Sequence, residues 1–188
     1  MLDDEETWFR LVPDVDRFAS VTAKQADVHR LVDAGAFRGA AMLPNWQPIS
    51  VWIQEKYIEG SGRDVADLMG FMSGTIILRR QATETIGATL RNFGELLPMD
   101  SVEELQAFNC TTVVHALDRE RSRGQLLPSG MGYIRIESYV LKRALLDAQE
   151  VIKVPERVGS DLFISGRLAR TIHDAGLTGA RLLPVNLA

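Results

Sequence analysis

Thr75–Met99 reads TIILRRQATETIGATLRNFGELLPM, and Asp161–Val185 reads DLFISGRLARTIHDAGLTGARLLPV. The two stretches align without a gap. Ile76-Ile77-Leu78 stands over Leu162-Phe163-Ile164, Thr85-Ile86 over Thr171-Ile172, and Leu96-Leu97-Pro98 over Leu182-Leu183-Pro184. Each reads as strand, helix, strand. The opening apolar run is short, as a buried strand requires. Ala82, Ile86 and Leu90 then recur every four residues, as do Leu168 and Ile172, which is the spacing of one helix face. Gly176 suits a left-handed helix stop with Leu177 just beyond it. Each unit ends on a Pro, which lacks an N–H and suits a strand end. The expected fold class is α+β: a mixed sheet with two similar strand-helix-strand units and helices mainly on one face.

Outward from these units the chain is strand-rich. Thr7–Pro13 reads as a first strand and Ala23–Ala34 as a helix. Thr22 would be the helix cap, with Gln25 completing a capping box and Gly35 ending the helix. Gly39–Glu55 reads as extended, broken by Pro44-Asn45 and Gln47-Pro48, with Val51 and Ile53 on one face and Trp52 on the other. Glu59–Arg63 is a polar Gly/Ser loop without the pattern of a phosphate-cradling loop. Asp64 would cap a short helix over Val65–Met69. Leu105–Asn109, Thr111–Leu117, Tyr133–Val140 and Glu150–Val154 read as further strands. Asp118–Pro128 reads as a charged loop, Ser129–Gly132 as a turn and Leu141–Ala148 as a helical turn. In Tyr133–Val140 the expected alternation places Tyr133, Arg135, Glu137 and Tyr139 on one side, with Ile134, Ile136 and Ser138 on the other.

Composition agrees with an ordinary globular chain: 188 residues, 46% apolar, 24% charged and one Cys. A disordered chain would be poor in apolar residues and strongly charged, and a disulfide scaffold would be rich in Cys. No apolar run reaches the roughly 18 residues that span a bilayer. The opening MLDDEETW is acidic where a signal peptide is basic, so the expectation is a cytoplasmic protein. The length suits a single domain over 1–188, with residues 1–72 as an N-terminal elaboration on 73–188. Net charge is −4, and residues 1–33 carry all of it, with eight acids against four bases. That distribution is no nucleic-acid footprint, which would be a basic face. An acidic patch holding Asp14 and Asp16 can instead steer a basic protein.

The chemistry-bearing residues are sparse. His29, His115 and His173 are scattered, with neither helical nor hairpin spacing for a metal. No G-x-S-x-G or H-E-x-x-H segment is present. Asp118 and Glu120 lie in a loop flanked by Arg119, Arg121 and Arg123, where carboxylates form solvated ion pairs worth under about 1 kcal/mol. Cys110 reads as a small buried residue. The expectation is therefore no catalytic, cofactor or metal site. Trp46 and Trp52 belong either to the core or, if exposed, to an interface as anchors.

The order of short motifs resembles a known family. WFRLVPD (Trp8–Asp14) opens the chain, GELLPM (Gly94–Met99) and VVHALDRERS (Val113–Ser122) follow, and then YIRIESYVLK (Tyr133–Lys142). EVIKVP (Glu150–Pro155), DLFIS (Asp161–Ser165) and GLTGARLLPV (Gly176–Val185) complete the series. The chain looks like bacterial immunity-protein family eleven, of polymorphic-toxin and contact-dependent competition systems. The likeness spans Thr7–Val185, is strongest over Gly94–Val185, and is vague over Gly39–Met72. It implies a protein that neutralises a cognate toxin by binding it, the toxin being encoded by an adjacent gene, with no membrane or nucleic-acid partner. It carries over no catalytic residue. The expected contacts are Asp14, Asp16, Trp46, Trp52, Asp118 and Glu120. The alternatives are a hydrolase that reverses a toxin's modification and an interaction module without a toxin partner.

Overall fold

The computed structural model describes residues 6–55, 62–128 and 133–188. In chain order the elements are Trp8–Pro13 (β1), Ser20–Ala23 (β2), Gln25–Asp33 (α1), Val51–Gln54 (β3), Leu68–Met69 (β4) and Ile76–Leu78 (β5). Arg80–Arg91 (α2), Gly94–Pro98 (β6), Gln106–Cys110 (β7), Arg123–Leu126 (β8), Tyr133–Ser138 (β9) and Val140–Leu141 (β10) follow. Val151–Ile152 (β11), Leu162–Ser165 (β12), Gly166–Asp174 (α3) and Ala180–Leu187 (β13) complete the chain. The described residues thus form a mixed α+β structure.

Two sheets carry the core. One runs β10-β13-β1-β12-β11 and the other β4-β5-β7-β6; β2-β3 and β8-β9 are two-stranded. The strands flanking α2, β5 and β6, do not pair with each other. β7 lies between them, antiparallel to both. In the same way β1 lies between β12 and β13, antiparallel to both. The inserted strand is local in one sheet and arrives from the N-terminus in the other, and strand spacing gives no sign of such an insertion.

Burial explains the register. Along β5, Ile76 and Leu78 enter one core cluster while Ile77 enters another. Along β12, Leu162 and Ile164 face the first cluster and Phe163 a third. Both strands are buried on both sides, as their unbroken apolar runs suggest. α2 (Ala82, Ile86, Leu90) and α3 (Leu168, Ala169, Ile172) share the first cluster. α1, through Leu31, packs with β2 and β3 in the second cluster, which reaches the other face of the four-stranded sheet at Ile77, Leu97 and Ala107.

Several sequence expectations are corrected. Thr22 does not cap α1. It pairs with Trp52 in β2, and the helix begins at Gln25 with no side-chain cap. Burying Val21 and Ala23 on alternate positions holds this segment in a strand, and packing outweighs the capping pattern. Val65–Met69 is not a helix. Leu68 and Met69 pair with Leu78 and Ile77 and face different clusters, the period of a strand. Thr111–Leu117 makes only isolated bridges, Val113 to Lys153 and Leu117 to Leu141. The charged loop contains β8, paired with β9; most of the Glu59–Arg63 loop and the Ser129–Gly132 turn fall outside the described residues.

In β9 the buried residues are Tyr133 and Ile136, with Tyr139 just beyond. The simple alternation fails because two register shifts against β8 leave Ile134 and Glu137 as extra residues, and each bulge resets the inward face. β13 also runs past Pro184 to Leu187. There β1 pairs on one side only, and β10 joins at Asn186, so the missing N–H falls on a locally open edge.

Candidate functional site

The six sequence-selected residues do not form one constellation. Asp14 and Asp16 follow β1 and share Arg181, at 3.9 Å from Asp14 Oδ1 and 3.0 Å from Asp16 Oδ2. Asp14 is buried, and its N–H donates to the Gly179 carbonyl at 2.9 Å. Arg181 therefore offsets much of the acidic field expected at this place.

Asp118 acts on its own turn. Its Oδ1 accepts from the N–H groups of Glu120 and Arg121, both at 3.1 Å, and its N–H donates to Val140 at 2.9 Å. Glu120 is exposed. Val140 pairs with Asn186 in β13. Asp118 and the Arg181 cluster are thus separated by five residues of that strand, about 17 Å.

The two tryptophans divide. Trp52 is 48% exposed on β3, across from Thr22 and opposite the buried Val51. Trp46 is half-buried. Its Nε1–H donates to the Pro98 carbonyl at 2.7 Å, and its ring meets Phe37 edge-on at 6.4 Å between centroids. Trp46 also lines a cavity of about 390 Å³, together with Leu31 and Ala34 at the end of α1, Met42 and Ile49. Glu95 on β6 holds the wall of this cavity by accepting from the N–H groups of Met42 at 2.7 Å and Leu43 at 3.1 Å.

Linked to the cavity wall through Phe37 is a group with no counterpart among the residues expected above. Lys153 is fully buried, and its ammonium donates to the carbonyls of Phe37, Gly74 (2.6 Å) and Val158 (2.9 Å). Two distant segments and the turn just beyond Lys153 meet on one nitrogen. Burial pushes the ammonium down to about 8. The available signal was a lone Lys between Ile152 and Val154 in a strand-like run. The side chain of a charged residue in such a place needs internal partners. Cys110 lies in the same region, and burial holds it as a neutral thiol, pushed up to about 11. A second polar cluster centres on Asp161, which accepts from Tyr139 Oη at 2.6 Å and Arg157 Nε at 3.0 Å, with Arg10 at 3.5 Å. Burial first, and then this carboxylate, raise the Tyr139 phenol above its ordinary value.

Among the described residues, no group of three His, Cys, Asp or Glu side chains could hold a metal ion, and no helix is long and apolar enough to cross a membrane. No protein-family model and no curated protein matches the chain. The likeness to the immunity-protein family therefore rests on the motifs quoted above.

Proposed function

We propose that this protein binds a cognate bacterial toxin and neutralises it by contact, protecting the producing cell from within its cytoplasm. The observation that carries the reading is Trp52. Its ring stands half in solvent on the outer face of β2–β3, where Thr22 is its cross-strand neighbour and Ser20 pairs with Gln54. Trp is among the residue types most enriched at the energetic centre of protein interfaces, and an exposed Trp among polar neighbours suits that role. Glu120, which is exposed, adds charge that speeds encounter with a basic partner. Neutralisation by contact needs coverage of about 1,600 Å² and no reacting group. The same reading takes β5–α2–β6 and β12–α3–β13 as two similar units, with helices sharing one core, that form a rigid base for the binding surface.

The test is co-expression with the product of the adjacent gene. The expected result is rescue of growth and a stable complex on purification, with the complex weakened on Trp52→Ala. A toxin that kills equally well in the presence of this protein would overturn the proposal.

A further inference from the structure

Lys153 gathers carbonyls from three backbone conformations that differ in cost. Val158 has φ −56°, an ordinary helical value. Gly74 has φ +80°, which glycine adopts freely. Phe37 has φ +60°, a value that is strained for a bulky side chain. An ammonium has three N–H bonds and satisfies all three oxygens. When the proton leaves to water, the nitrogen keeps two N–H bonds and gains a lone pair, and one carbonyl then faces that lone pair.

We propose that Lys153 is a proton-controlled clasp, in which loss of its proton releases the Phe37 carbonyl and reshapes the cavity lined by Trp46. Phe37 is the arm that lets go, because release there also relieves its left-handed strain. The consequence reaches the cavity by direct contact. The Phe37 ring packs against Trp46, and the Phe37 N–H donates to Met42 Sδ at 3.4 Å. Trp46 and Met42 both line the cavity. A ligand that prefers one cavity shape would accordingly bind one protonation state, and its affinity would depend on pH.

Burial outweighs the charges around the clasp, of which Cys110 and Asp161 act on the ammonium and favour its proton. Cys110 stays a neutral thiol. Asp161 is engaged by Arg157, Arg10 and Tyr139. Glu156 lies on the turn beside Arg157, and Arg38 lies against Gly159. His115 is exposed, one residue beyond the Val114 N–H that donates to the Lys153 carbonyl. With a value near 8, the amine outnumbers the ammonium about tenfold at pH 9.

The experiment is an NMR titration of the isotope-labelled free protein from pH 6 to 9.5. It follows the Lys153 side-chain carbons, the Phe37 amide, the Trp46 indole N–H and the His115 ring. It needs no toxin, so its failure is distinct from failure of the proposed function. The expected result is one shared midpoint near 8 for Lys153, Phe37 and Trp46, and flat Phe37 and Trp46 signals in Lys153→Arg. The proposal is overturned if Lys153 keeps its proton throughout, if it titrates while Phe37 and Trp46 stay still, or if those two follow His115 instead. Should Lys153→Arg not fold, the wild-type titration alone decides.

Discussion

The carbonyl of Phe37 accepts a hydrogen bond from the ammonium of Lys153, 116 residues further along the chain. This contact ties the segment after α1 to the strand region before Pro155, and Gly74 and Val158 add two more ties at the same nitrogen. Much of the protein's pH behaviour follows from it.

Stability should climb between pH 8 and 9. In the unfolded chain Lys153 keeps its proton to 10.5, whereas the folded protein releases it near 8. The unfolded state binds more protons in that window, so raising the pH favours folding. Cys110 works the other way. Its thiol is raised from 9.0 to about 11 in the fold, so its contribution is complete below 9 and is lost as pH rises through 11. Tyr139, raised above its ordinary 10.0, adds to the loss from there, so urea denaturation should give a rise from 8 to 9, a flattening above 9 and a fall from about 10. A profile with no rise above pH 8 would count against the buried ammonium.

Lys153→Met should cost about 3 kcal/mol or more at pH 7, because it leaves carbonyls buried without a donor. The rise in stability between pH 8 and 9 should vanish with it. Chemical denaturation of the variant at both pH values checks the two effects together.

Two glycines with similar dihedrals should respond differently to alanine. At Gly74, φ is +80° and an added Cβ would lie 2.9 Å from the Gly159 backbone and from Lys153 Nζ. At Gly35, φ is +65° and the space is open. Gly35→Ala should cost only the left-handed strain, about 1 kcal/mol. Gly74→Ala adds a steric clash and should cost several kcal/mol. Thermal melts of the pair make the comparison directly.

Trp52→Ala and Trp46→Ala should separate binding from folding. On the proposed toxin-binding reading, losing Trp52 costs about 2 kcal/mol of affinity, or roughly thirtyfold in Kd, with little change in stability. Losing Trp46 removes the Pro98 hydrogen bond and the Phe37 ring contact. It should destabilise the fold by about 3 kcal/mol. Calorimetry of each variant, with and without the partner, distinguishes the two.

Ser165→Ala should cost about 1 kcal/mol. Ser165 Oγ caps α3 by accepting from the Leu168 N–H at 3.2 Å, and it donates to Glu150 at 3.0 Å. α2 has no side-chain cap at Arg79, so the loss should fall on α3. Hydrogen exchange at the first turn of each helix reports it.

Local pattern alone determined much of this protein. Apolar runs at Ile76–Leu78 and Leu162–Ile164, four-residue repeats on Ala82, Ile86 and Leu90, and the glycine stops at Gly35 and Gly176 all appear in the structure at those places. These signals are legible because each depends on residues within one or two turns of chain. Trp52 was legible as facing away from Val51 for the same reason. Only the tertiary structure decided that β7 and β1 enter between the flanking strands, that Val65–Met69 is not a helix, and that Arg181 draws in Asp14 and Asp16. It alone placed Phe37 and Gly74 around Lys153. Such choices depend on which distant surfaces and carbonyls can be buried together, and no window of sequence contains both partners.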